Sequence, residues 1–250
     1  MDRISCDVCV IGSGIAGLCA ATAAAEAGAS VTLVCQGAVC SGSSFAGTTW
    51  GLGMVGPRTP APDDVEAFVR AVQGPGGSKA DDAYVRALGS GFHGALKRFR
   101  AMGAVIEDVE PGHEGDRAYV PCFGADVQDW HGFHALASVR GLRDKLCKVG
   151  VKVVHHAEVA SLLHDPADGS VAGALAFVGP DASPLAVAAG ATVLATGGAA
   201  AALSPTLASP LALGTGLVMA QDEGATCGNL GYGQVMAGIV TKGRPAVFNE

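Results

Sequence analysis

Asp7-Val8-Cys9-Val10-Ile11-Gly12-Ser13-Gly14-Ile15-Ala16-Gly17-Leu18 is the stretch on which the fold turns. Asp7–Ile11 is a β-branched, apolar run within a first strand read as Ser5–Ile11, and a glycine turn follows it at once. Leu18–Ala27 is alanine-rich and reads as a helix stopped by Gly28 as its C-terminal cap. Ser30–Val34 then reads as a second apolar strand. Strand, glycine turn, helix and strand within about thirty residues is the frame in which G-x-G-x-x-G binds a dinucleotide. Gly12 permits the tight turn, Gly14 lets the backbone approach a pyrophosphate, and Gly17 lets the helix pack close to the strand. Ser13, Ile15 and Ala16 complete the turn, and the free N–H groups of the helix start offer a positive dipole end to phosphates.

The carboxylate that commonly ends the second strand of such a unit, and binds a ribose hydroxyl, is missing. Cys35 and Gln36 stand there instead. The loss weakens an NAD reading more than an FAD reading, because FAD is held by many further contacts. Downstream, Ser41-Gly42-Ser43-Ser44-Phe45-Ala46-Gly47-Thr48-Thr49-Trp50-Gly51-Leu52-Gly53 is a loop of small residues and hydroxyls. Such a loop can wrap a flat ring system and a phosphate. Phe45, Trp50 and Leu52 are poor linker residues, which argues against a flexible tether.

Further along, Pro57–Pro62 reads as a break and Asp63–Gln73 as a helix capped by Asp63 or the residue before it. Asp81–Met102 reads as one or two amphipathic helices with Tyr84, Leu88, Phe92, Leu96 and Phe99 on one stripe. Gly103–Ile106 reads as a short strand, Val139–Lys148 as a helix and Val151–His155 as a strand. Ser161–His164 and Ala172–Val178 form a hairpin around Asp165-Pro166-Ala167-Asp168-Gly169. Thr192–Ala195 is a last buried strand, ending in Thr196-Gly197-Gly198. The pattern predicts an α/β fold: a Rossmann-like domain with a central parallel sheet, flanking helices and a small antiparallel β-meander.

Composition narrows the function classes. Hydrophobic residues make up 49% of the 250 and charged residues 16%, enough apolar material for a sizeable core. A net charge of −7 leaves no basic face for phosphate backbones, which argues against a nucleic-acid partner. The 37 glycines have no fixed period and cluster where backbone must approach something closely. Two apolar stretches, Val8–Ala25 and Leu185–Leu203, are interrupted by glycines and read as strand-and-turn segments rather than a signal peptide or a membrane span. Cys6 and Cys9 form a C-x-x-C, but strand alternation would send their thiols to opposite faces and no second pair stands at zinc spacing. The eight cysteines therefore read as reduced, which predicts a cytoplasmic location and no metal.

Taken in order, these motifs resemble the flavoprotein family of succinate dehydrogenase and fumarate reductase flavin subunits and L-aspartate oxidase. Four blocks carry the resemblance: Gly12–Gly17; Ser41–Gly53; Asp63–Met102 with Gly103-Ala104-Val105; and Ala195-Thr196-Gly197-Gly198 with Gly214-Thr215-Gly216 and Gly224-Ala225. The resemblance implies FAD as cofactor, with Gly12, Ser13, Gly14, Ile15, Ala16 and Gly17 at the pyrophosphate and Cys35 and Gln36 near the adenosine ribose. Ser43, Ser44, Thr48, Thr49, Trp50 and Gly51 would follow the path to the flavin. Ala157-Glu158-Val159 would pass the adenine, while Thr196, Gly197, Gly198 and Thr215 would close over the cofactor. Some members attach FAD through a histidine of the second loop; this loop has none, so binding is expected to be non-covalent.

The chain also departs from the family. Gly214-Thr215-Gly216 stands where Gly-Asp-Gly is usual, and Gly231–Ala237 lacks the histidine of a dicarboxylate-holding motif. The resemblance places an FAD-binding domain at 1–236 and the start of a capping domain, otherwise absent, at 237–250. A partner polypeptide supplying the cap, and a small carboxylate substrate, are expected on that basis. Moving a hydride to or from such a substrate requires a proton donor or acceptor and cations for the carboxylates. After Arg143 the sequence offers one more arginine, Arg244. The best catalytic candidates are His131 and His134, whose H-x-x-H spacing fits one helical face or a loop cluster. A flavin-binding module without catalysis, and an NAD-dependent dehydrogenase, remain as other readings; the latter lacks a Tyr-x-x-x-Lys pair.

Overall fold

In the computed structural model the described residues are 1–46, 52–74, 79–108, 128–203, 206–231, 238–241 and 244–247. Their elements, in chain order, are β1 (Asp2–Ile11), α1 (Ile15–Glu26), β2 (Val31–Val34), β3 (Leu52–Pro57), α2 (Pro62–Gln73), α3 (Asp82–Ala101), β4 (Ile106–Asp108), β5 (Gln128–Phe133), α4 (Ala135–Lys148), β6 (Lys152–Val154), β7 (Ala157–His164), β8 (Val171–Val178), β9 (Ser183–Leu194), α5 (Thr215–Asp222), β10 (Gly238–Thr241) and β11 (Arg244–Val247). The chain divides into two compact units, Met1–Trp50 with Leu142–Asn249, and Gly51–Gly141.

The first unit is built on a six-stranded sheet in the order β6-β2-β1-β9-β8-β7. β6, β2, β1 and β9 run parallel, and β9, β8 and β7 continue as an antiparallel meander. All four residues of β2 are buried, as a strand covered on both faces requires. α1 crosses from β1 to β2 with Leu18 and Ala21 fully buried, and Leu142 and Leu146 of α4 are likewise in the core. Lys145 of α4 reaches Glu26 of α1 at 2.5 Å. A second core lies along β1, β9, β8 and the start of β7, with Cys9, Ala174, Ala176 and Val187 fully enclosed.

β9 is much longer than the four residues expected of it, because Leu185–Ala189 is apolar enough to serve the meander before the strand reaches β1's end. No described helix is long and apolar enough to cross a membrane. Cys6 and Cys9 do not face opposite ways: Cys6 packs against the same core cluster that encloses Cys9. Cys6 pairs with Ala189 and Val8 with Ala191, while the Asp7 amide between them donates to the Ser30 carbonyl at 2.9 Å. The described cysteines are free thiols.

The second unit pairs α2 and α3 with a three-stranded antiparallel sheet in the order β3-β5-β4. Val65 and Val69 of α2 pack on Val85 of α3. α3 is one continuous helix whose N-cap Asp81 accepts from the Tyr84 amide at 3.1 Å. Its buried face is Val85, Gly89, Leu96 and Phe99, whereas Tyr84 is 81% and Leu88 56% exposed. The expected stripe is therefore correct only toward its C-terminal end; the close approach of α2 at Gly89 selects a face rotated by about one residue. The strand expected at Gly103–Ile106 begins instead at Ile106, since Gly103 at φ +98° turns the chain out of α3.

Candidate functional site

The glycine turn after β1 is fixed by the strand ends around it. The Gly12 amide donates to the Val34 carbonyl at 2.8 Å, and the Ala195 amide donates to the Ile11 carbonyl at 2.8 Å. Gly12 sits at φ +105°, and a Cβ there would lie 2.3 Å from the Ala195 oxygen. A Cβ on Gly17 would lie 1.8 Å from the Gly12 carbonyl oxygen. Gly14, the N-cap of α1, offers no side-chain cap, so the first amides of the helix are left for another acceptor. A Cβ on Gly42 would come within 2.8 Å of the Gly14 Cα, so these two glycines bring the second loop against the turn.

The turn opens into a cleft of about 450 Å³, a normal size for a small-molecule site. Gly12, Ser13, Gly14, Ile15 and Ala16 form its floor, and Cys35, Gln36, Ser43, Ser44, Glu158, Val159, Thr196, Gly197, Gly198 and Thr215 line its walls. Gly17 is buried behind the floor and does not line the cleft. Thr48, Thr49, Trp50 and Gly51 lie outside the described residues. Glu158 is the one charged residue among the described residues of the lining.

The wall near the end of β2 is tied to the start of β7. The Ala157 amide donates to the Cys35 carbonyl at 3.0 Å, and the His156 amide to Gly37 at 3.1 Å. Cys35 is buried; its thiol donates to the Val154 carbonyl at 3.4 Å. Burial pushes that thiol above its ordinary range, more than the Ser13 hydroxyl beside it lowers it. At the other wall, Gly214 at φ +85° starts α5, and a Cβ on Gly216 would lie 1.8 Å from the Thr196 hydroxyl oxygen. Helix α5 thus sits directly on the turn after β9.

Ser209 was not singled out by any sequence pattern, yet it is 4% exposed and lines the cleft. Its hydroxyl donates to the Ser41 carbonyl at 3.0 Å, and its amide donates to the Ser43 hydroxyl at 3.1 Å. It braces the second loop from 166 residues downstream, a contact with no local signature. Leu211, Ala212 and Met219 line the cleft as well. They come from an apolar stretch that resembles ordinary core.

His131 and His134 do not share a helical face. His131 lies in β5, directly opposite Asp108 of β4, and His134 follows the strand. His131 Nδ1 is 2.5 Å from Asp108 Oδ1, and the ring is 7% exposed. Its Nε2 lies 3.2 Å from Asp129 Oδ2 but makes no well-aligned hydrogen bond. Arg100 also pairs with Asp108. Partial burial pushes the Asp108 carboxyl up, and the hydrogen bonds from Arg100 and His131 outweigh it, so the group titrates below its usual range. His134 is exposed and bonds Glu107 at 2.7 Å. Together with Lys97 and His93, the His131 cluster borders a polar hollow of its own in the second unit. Among the described residues no group of three or more His, Cys, Asp or Glu side chains is arranged to hold a metal.

A glycine cradle at an uncapped helix start, set on parallel strand ends and opening into a cleft, defines a dinucleotide-binding α/β domain. The model of the family described as FAD binding domain matches residues 7–241, and the chain belongs to that family. It is 30% identical over 253 residues to the L-aspartate oxidase of Streptomyces coelicolor, covering 97% of this chain and 42% of the relative. It is 27% identical over 250 residues to that of Mycobacterium tuberculosis, covering 97% of this chain and 45% of the relative. The chain thus spans less than half the length of these curated relatives. In fold it is similar to the open conformation of a flavocytochrome c3 fumarate reductase, with a TM-score of 0.75 at 22% identity over 98% of this chain and 44% of that one. It is also similar to a 3-ketosteroid dehydrogenase from Rhodococcus jostii, with a TM-score of 0.70 at 23% identity over 89% of this chain and 54% of that one. The chain is an FAD-binding domain, and FAD is its cofactor.

Proposed function

We propose that this chain is the flavin-holding part of an oxidoreductase that exchanges a hydride between FAD and a small carboxylate substrate. The observation that carries the reading is the cradle: Gly12 and Gly17 let the turn and α1 close on the strand ends, Gly42 meets Gly14, and the first amides of α1 are left uncapped where a pyrophosphate fits. FAD, when bound, supplies the hydride chemistry. The chain's own residues bind and orient it. The amides of Ser13–Gly17 donate to the phosphate oxygens, Gln36, Glu158 and Val159 meet the adenosine, and Ser43 and Ser44 lie along the path toward the flavin. Thr196, Gly197, Gly198 and Thr215 close over the cofactor, and Thr48, Thr49, Trp50 and Gly51 are proposed for the same path. The binding is non-covalent. On this reading 1–236 is one FAD-binding domain, carrying the second unit within it, and 237–250 begins a capping domain.

A carboxylate substrate requires cations, and no Lys, Arg or His is among the described residues lining the cleft. This supports a cap or partner polypeptide as the source of the substrate-holding and proton-transferring groups. It equally favours a second reading, a flavin-binding module that does not itself turn over substrate. His131 is not adopted as a catalytic base, because Asp108, Asp129 and Phe92 already enclose its ring.

The test is the visible spectrum of the purified chain, followed by acid precipitation. A flavin spectrum with the yellow chromophore released to the supernatant is the expected outcome. Failure to bind added FAD would overturn the proposal. Dye-linked turnover of aspartate, succinate or fumarate by this chain without any partner would exclude the non-catalytic reading.

A further inference from the structure

We propose that Glu158 supplies the carboxylate that holds the adenosine ribose hydroxyls of FAD, replacing the acid missing from the end of β2, and so acts as a specificity-determining residue. The inference rests on the FAD reading and adds a residue role to it.

A ribose presents two neighbouring O–H donors, and an ionised carboxylate is acceptor-only and able to take both. Fingerprint domains usually place that carboxylate at the end of the second strand. Here the position offers a buried thiol, a weak acceptor whose proton is already given to the Val154 carbonyl. Gln36, the next residue, is exposed and carries a neutral amide. The vacated chemistry has one nearby substitute. Ala157 is bonded through its amide to the Cys35 carbonyl at 3.0 Å, which lays the start of β7 against the end of β2. Glu158 is the next residue, about 3.8 Å further along the backbone. It lines the FAD cleft beside Cys35 and Gln36, and Gln36 and Glu158 also border the adjoining hollow formed with His156 and Phe177.

Two further observations favour a ligand role over a structural one. Glu158 is exposed at the cleft edge, and no hydrogen bond or ion pair among the described residues uses its carboxylate. It is also the one charge in the described lining, so nothing there offsets it except a ligand's donors. The chemistry recognised is a vicinal diol, with discrimination against a ribose that carries a 2′-phosphate, which the carboxylate would repel.

The experiment titrates the apo chain with FAD and with 2′-deoxyadenosine FAD, following flavin fluorescence, for wild type, Glu158→Gln, and Glu158→Gln combined with Gln36→Glu. Wild type is expected to prefer FAD over the deoxy analogue. Glu158→Gln should weaken FAD binding roughly ten- to hundredfold and abolish the preference, as loss of a charged hydrogen-bond partner does. Moving the carboxylate to position 36 should restore at least part of both. Thermal unfolding of the apo variants checks that the exposed substitution leaves the fold intact. Wild-type affinity in Glu158→Gln, or an unchanged preference for FAD over its deoxy analogue, would overturn the role of Glu158 and leave the FAD site standing. A wild-type chain that binds neither flavin would overturn the site as well.

Discussion

Gly17 and Gly12 touch so closely that a Cβ on Gly17 would lie 1.8 Å from the Gly12 carbonyl oxygen. The contact joins α1 to the end of β1 and sets how near the helix amides come to the cleft. The obstacle is backbone, so a new methyl group cannot be relieved by a rotamer change. Gly17→Ala is expected to displace α1, cost about 1–3 kcal/mol of stability and weaken FAD binding more than tenfold. Urea unfolding and FAD titration read the two effects. Unchanged flavin affinity would mean that the position of α1 does not govern the site.

Gly91 and Gly94 provide the opposite case. Both lie inside α3, and a Cβ on either meets nothing within 4 Å. Alanine at either position should stabilise the chain by roughly 0.5–1 kcal/mol, since glycine in a helix interior carries extra unfolded-state entropy. A fall in Tm for these variants would show that the face is covered by something else.

How far the sequence carried the reading differs between the two units. The turn at Gly12–Gly17 was legible because its chemistry is local: three glycines, a strand before and a helix after. Cys35, Gln36 and Glu158 were placed near the nucleotide from resemblance, and the structure sets them on one wall. Ser209 was illegible because its partners, Ser41 and Ser43, lie far away in sequence. The sheet of the second unit was missed for a related reason. Gln128–Phe133 contains His131, Gly132 and two aromatics, which weakly signal any state, and only pairing with β3 and β4 makes it a strand. That Cys6 and Cys9 pack on one core cluster was not legible from strand alternation alone.

The second unit's core depends on the pair Phe99 and Phe133, whose ring centres are 5.2 Å apart. Phe133 is 1% and Phe99 4% exposed. Phe133→Ala should cost about 3–5 kcal/mol, while Phe133→Leu should recover much of that loss. Chemical denaturation distinguishes them, and equal stability of the two variants would show that the pocket collapses on either.

Thiol chemistry should follow burial. Burial, with Cys6 adding to it, pushes the Cys9 thiol up to about 12. Burial also raises Cys40 to about 11, against the lowering effect of nearby Arg143. Thiols raised in the folded state stabilise it fully below their ordinary value of 9.0, and that contribution is lost as pH climbs toward 11–12. Alkaline unfolding is therefore expected above pH 9, and Cys9→Ala should flatten the dependence. At pH 8, labelling with a disulfide reagent followed by peptide mapping should find exposed Cys147 modified and Cys9 and Cys40 untouched until urea is added. Early modification of Cys9 in the folded chain would contradict this arrangement.

The acid limb of stability should report on Asp108. Its carboxyl is held below its ordinary value of 3.8 by hydrogen bonds from Arg100 and His131, against an opposing push from partial burial. A carboxylate depressed in this way stabilises the fold above the unfolded-state value, and the contribution disappears as pH falls through the folded one. The carboxylate is 56% exposed, so screening limits its worth to about 1 kcal/mol or less. Asp108→Asn should remove that part of the dependence below pH 4 and leave neutral-pH stability only slightly lower. His131→Ala should cost more at every pH, about 1–3 kcal/mol, because it empties a buried site and removes one of the partners of Asp108. Unfolding curves collected from pH 2 to 7 compare the two directly. If Asp108→Asn keeps the full wild-type acid limb, the carboxylates responsible lie elsewhere in the chain.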